Sequence, residues 1–175
     1  MSAEARLEPD WLVRLFGVPR RNGPADEVWA RIEQQLGHAL PKDYKDLASG
    51  YGDAVLGGYL YVPHPQGGRP LVSWMEEQIA GLRLVFGDDL PGSVDGGLAS
   101  LVPWGCHNYD GDGLYLCLRN RGGAADWSVA VDFRQWGQVI DMDVPLRRFV
   151  ADFVNGERAP RGWPRAADPW ADVDG

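Results

Sequence analysis

Residues 127–133 read Trp127-Ser128-Val129-Ala130-Val131-Asp132-Phe133. Large apolar side chains recur at every second position, with Ser128, Ala130 and Asp132 between them. Successive side chains of a strand point to opposite faces, so this alternation marks a strand with one face in a core. Working outward, Gln135–Gly137 reads as a turn and Gln138–Met142 as the strand that pairs back. Upstream, Asp110-Gly111-Asp112-Gly113 is a strong hairpin signal ahead of a strand over Leu114–Leu118. A two-residue turn at Gly111-Asp112 would set Cys106 opposite Cys117. Before that turn, Leu101–Gly105 is a short strand whose Pro103 suggests a sheet edge or a bend.

Toward the N-terminus the period changes to that of helices. Trp11, Leu12, Leu15 and Phe16 form an apolar stripe after Pro9, ended by Gly17. Val28, Ile32 and Leu36 follow at a spacing of four, with Trp29 beside them and Gly37 as the stop. Leu40-Pro41 opens a third helix with Tyr44 and Leu47 inward, closed by Gly50-Tyr51-Gly52. Leu56–Val62 reads as one strand. Ser73 and Glu76 form a capping-box start to a helix with Met75, Ile79, Leu82 and Phe86 on one face. Asp143 is placed to cap a last helix, with Pro145 in its first turn and Leu146, Phe149, Val150, Phe153 and Val154 as its stripe. These residues describe an α+β domain.

The chain has 175 residues, one domain's length, enough to bury roughly 70% of its surface on folding. It carries 17 basic and 25 acidic residues, net −8. That balance argues against binding nucleic acid or an anionic membrane surface, which needs excess Lys and Arg. No apolar run approaches a membrane span, and no signal peptide is visible, so the cytoplasm is the expected address. The charge is uneven. Residues 88–118 hold Asp88, Asp89, Asp95, Asp110 and Asp112 with no Lys or Arg. Aspartates serving turns are the plainer explanation of such a stretch; the sharper one is an acidic face that steers a basic partner.

Several segments together resemble the SUKH superfamily, which includes the fungal Smi/Knr cell-wall synthesis regulator. The opening residues are Trp29, Ile32, Glu33, Leu36-Gly37, Leu40-Pro41, Asp43-Tyr44, Leu47 and Tyr51-Gly52. Val102-Pro103-Trp104-Gly105 with Asn108–Asp112 is similar to the family's central segment, Trp127–Asp132 to its Trp-bearing strand, and Asp143–Gly156 to its closing helix. The resemblance implies an α+β fold: N-terminal helices, a central and mostly antiparallel sheet of about five or six strands, and a C-terminal helix packed on it. It covers residues 25–156, leaving an N-terminal helical extension (1–24) and a Pro- and Trp-containing C-terminal tail (157–175). It also implies a non-enzymatic immunity protein that neutralises a polymorphic toxin by binding it. The alternative is a regulatory or scaffolding module of the cell-wall regulator type.

No constellation points as clearly to chemistry. Cys106 and His107 are neighbours on a strand and face apart, so they do not form a nucleophile–base pair. Two free, mostly buried thiols are expected. Asn108, Asp110 and Asp112 resemble a calcium loop's start, but its twelfth position falls on Arg119 or Arg121. His38, His64 and His107 have no zinc spacing, and His64, between Pro63 and Pro65, reads as an exposed loop residue. No metal or other cofactor is expected. Asp88-Asp89, or a pair among Asp132, Asp141 and Asp143, is a remote acid/base option. Gly pairs at 57–58, 67–68, 96–97 and 122–123 read as turns. The residues expected to meet a basic protein partner, such as a cognate toxin, are Asp88, Asp89, Asp95, Asp110 and Asp112, with Trp104 as an anchor. Pairing of two copies through the Trp-bearing tail stays open.

Overall fold

The computed structural model describes residues 10–108, 111–121 and 124–173. Pro9, Asp110 and the Gly122-Gly123 pair lie outside the described residues. Three helices come first: α1 (Asp10–Phe16), α2 (Asp26–Leu36) and α3 (Lys42–Tyr51). A hairpin of β1 (Ala54–Leu56) and β2 (Leu60–Val62) leads to the long helix α4 (Leu71–Phe86). After a 3-10 turn at Gly97–Ser100 come β3 (Leu101–His107), β4 (Gly113–Arg121), β5 (Ala124–Phe133) and β6 (Gln138–Asp141). Helix α5 (Leu146–Val154) and the short β7 (Trp170–Asp172) complete the order. The protein is α+β, as its periodicities indicate. Among the described residues, no helix is long and apolar enough to cross a membrane.

The sheet is larger than the five or six strands expected. Among the described residues it has seven, ordered β6-β5-β4-β3-β2-β1-β7, and its strand pairs are antiparallel. One added strand comes from the split of Leu56–Val62 into β1 and β2, and another from the tail, where β7 pairs with β1 in the register Val55↔Ala171. The period-two stretch sorts as its alternation requires. Val129, Val131 and Phe133 enter the main core with Trp127 packed against it, while Ala130 belongs to a second cluster on the opposite face.

The main core gathers Trp29, Ile32, Tyr44, Leu47, Trp104 and Phe149 with their neighbours. Helix α1 contributes Trp11, Leu12 and Phe16 to it, and the tail packs Trp163, Ala166 and Trp170 against it. The smaller cluster combines Leu101, Tyr115, Cys117, Ala130 and Val139 with Leu82 and Leu98. Helix α4 serves both. Its first half supplies Leu71, Trp74 and Met75 to the main core, and its second half supplies Leu82, with Ile79 and Phe86, to the smaller one.

Local details differ from expectation where glycine, proline and tight turns set the backbone. Leu56–Val62 is a hairpin and not one strand. Gly57 and Gly58 take φ of 59° and 90°, and Phe153 lies 2.5 Å from where a Gly57 Cβ would stand. Such geometry suits only glycine. Pro103 lies in an interior strand and not at a sheet edge, and beside it the β3–β4 register shifts between Pro103 and Gly105, in keeping with its reading as a bend. The β3–β4 connection is longer than two residues: Gly111 N–H donates to His107 O and His107 N–H to Asp112 O. Cys106 therefore pairs with Gly113, and Cys117 with Leu101; both thiols are free. Helix α4 starts after Pro70 and α5 after Pro145, so neither Ser73 nor Asp143 is an N-cap. Asp143 instead has φ of 57° and its carboxylate accepts from Arg119.

Candidate partner-binding surface

Three of the expected contact residues share one loop. Asp88, Asp89 and Asp95 are exposed between α4 and the 3-10 turn. Asp88 Oδ1 lies 3.2 Å from Arg83 Nε, and Asp89 and Asp95 have no ion-pair partner among the described residues. The loop is held at both ends. Val139 N–H donates to Pro91 O at 2.9 Å, Asp141 N–H to Ser93 Oγ at 2.9 Å, and Ser100 Oγ–H to Asp95 O at 2.9 Å. Gly92 makes this possible: its φ is 132°, and a Cβ there would meet Val139 O at 1.9 Å.

Asp112 and Trp104 are not available to a partner. Asp112 is buried, 4% exposed, because its carboxylate has internal work. Its Oδ1 accepts the Arg134 N–H at 3.0 Å and its Oδ2 accepts the Trp163 Nε1–H at 2.9 Å. Trp104 is wholly buried, its ring edge-on to Phe149 with centroids 6.0 Å apart. Its alternation with Val102 along β3 sends both side chains into the main core. Asp110 lies outside the described residues. The acidic stretch is thus divided: the 88–95 loop carries exposed charge, while Asp112 anchors the tail.

Sequence reasoning missed Leu84 and Val85. They are the most exposed large apolar residues at the end of α4, at 88% and 70%. A signal was present. The inward face is fully accounted for by Met75, Ile79, Leu82 and Phe86, and Leu84 lies roughly 200° around the helix from Leu82. Val85 lies nearer that inward face, yet it too is exposed.

The groups capable of chemistry are engaged structurally. His64 is buried against expectation: its Nε2 lies 3.1 Å from Ser49 O, and its Nδ1 accepts the Gln66 N–H. His107 is buried between the rings of Tyr59 and Trp163. Arg119 Nε donates to Asp141 Oδ2 at 2.8 Å, and Arg119 also bonds Asp143. Burial pushes the Cys106 and Cys117 thiols up, away from the reactive thiolate. Asp132 is the exception in character. Burial raises its pKa to about 6, Arg134 opposes the rise, Asp112 adds to it, and its Oδ1 has no hydrogen-bond partner. A groove of 640 Å³ between α2 and α4 is lined by Arg31, Gln35, Gln66, Ser73 and Glu76 together with apolar residues; one carboxylate does not make an acid/base pair. Among the described residues, no group of three or more His, Cys, Asp or Glu could hold a metal ion. No protein-family model matches the chain, and no curated protein matches it.

Proposed function

We propose that this chain is a SUKH-like immunity protein, which acts in the cytoplasm by binding a cognate polymorphic toxin stoichiometrically. The toxin presents a basic working surface, as nuclease toxins do, and the chain neutralises it without chemistry of its own. Supporting this reading, the residues that resemble the family fall in the order expected of it. Trp29, Tyr44 and Leu47 lie on the early helices, Trp104 and Val129 on central strands, and Phe149 on the closing helix.

The observation that carries the reading is the exposed carboxylate loop. Asp88, Asp89 and Asp95 project from a segment pinned to β6, on a chain of net charge −8. Complementary charge accelerates encounter and sets orientation more than it adds affinity. The test is co-expression with the product of the adjacent open reading frame. Rescue of growth and copurification support immunity; a growth defect that persists, with no copurification, refutes it.

A further inference from the structure

We infer that the last turn of α4 anchors the basic partner protein that the neighbouring carboxylates steer, with Leu84 and Val85 as an apolar ridge inserted into its surface. This inference rests on the reading of the chain as a toxin-binding protein and assigns that function a contact face. Two independent properties meet at this place. The ridge offers two large aliphatic side chains, 88% and 70% exposed, on a helix rather than a loose loop. The segment that follows offers Asp88, Asp89 and Asp95, and Arg83 is the basic neighbour, already bound to Asp88.

Charge complementarity selects the occupant. A desolvated apolar centre with a charged rim is the usual arrangement of a specific contact, and this rim is negative. A second copy of the chain fits poorly. A two-fold contact through the ridge would set one copy's three aspartates against the other's, and like charges facing across an interface oppose association. A partner with basic residues around an apolar slot meets both features.

The two parts of the surface make separable kinetic predictions. Steering acts on the association rate, and a buried anchor acts on the dissociation rate. Covering a Leu or Val side chain is worth roughly 10- to 100-fold in affinity. The product of the adjacent open reading frame, purified in an inactive form, is the probe. Leu84→Ser with Val85→Ser should raise its dissociation rate about 100-fold with association nearly unchanged. Neutralising Asp88, Asp89 and Asp95 to Asn should slow association at low salt with dissociation nearly unchanged. Val18→Ser, at a distant exposed site, should alter neither.

A circular dichroism spectrum like wild type confirms that the ridge variant folds, since both side chains project into solvent. Wild-type binding by the ridge variant overturns the anchor and leaves the immunity function standing. No binding by wild type overturns the function, and the anchor with it. A wild-type dimer in sedimentation that the ridge substitutions dissolve makes the occupant a second copy, which also overturns the inference.

Discussion

Replacing Asp132 with Asn should stabilise the protein above neutral pH and leave it little changed in acid. The carboxylate lies on β5, 4% exposed, with Arg134 Nε at 3.8 Å, the Asp112 carboxylate nearby and Oδ1 unbonded. Burial disfavours its charged form, so its pKa rises from 3.8 to about 6. The folded state then binds this proton more readily than the unfolded state does. Stability accordingly rises as the pH falls through 6, and the gain is complete below 3.8. Above pH 6 the folded protein bears the whole cost of the buried charge, about 3 kcal/mol from the size of the rise. Asn cannot ionise and carries none of it. Urea denaturation at intervals from pH 8 to pH 4 should show the variant ahead by about 3 kcal/mol at pH 8, shrinking toward zero at pH 4. The corresponding rise in Tm at pH 8 is roughly 6–12 °C. A difference between variant and wild type that does not change with pH would refute the account of Asp132 as a buried, costly anion.

Three further outcomes follow from contacts in the structure. Trp163→Phe keeps an aromatic ring beside Tyr59, Phe149 and Phe153 but removes the N–H that Asp112 accepts, and should cost about 1–3 kcal/mol in urea denaturation; Trp163→Ala should cost more. Gly92→Ala cannot fit against Val139 O, so the 88–95 loop should leave β6 and the amides of Val139 and Asp141 should exchange with deuterium faster. Thiol titration in urea without reductant should count two thiols; in the native protein Cys117 should react slowly, because its side chain is buried.

The sequence made the regular parts of the fold legible and hid the parts set by neighbours. The alternation of Trp127–Phe133 and the helical stripes at 28–36 and 146–154 each needed only one face of one element, and all three elements form. The division at Gly57-Gly58 was hidden because its cause is distant: Phe153 and Ala166 press on Gly57 from α5 and the tail. Pro103 was ambiguous for a similar reason, since only the β4 register shows how the sheet absorbs it. On the candidate surface, charge alone grouped Asp88, Asp89 and Asp95 with Asp112. Composition could not show that Asp112 is sequestered by a Trp fifty-one residues later in the chain. Leu84 and Val85 were surplus apolar residues on α4, and only their exposure in the fold sets them apart from ordinary helix content.

One border of the sheet is covered by a loop of the chain, and the other is a short strand supplied by the tail. The 91–93 segment lies along β6, and β7 lies along β1, with Asp172 bound by Arg21 and the Trp170 N–H donated to Tyr51 O. What remains at the second border is a strand of three residues. Unpaired strand backbone recruits other chains with little regard for their sequence, so these borders guard against aggregation when the protein accumulates. In the proposed toxin-binding role, recognition falls to side chains on helix and loop surfaces. Those positions tolerate replacement without disturbing a ladder, so in that proposed role a few surface substitutions suffice to change the partner while the sheet stays as it is.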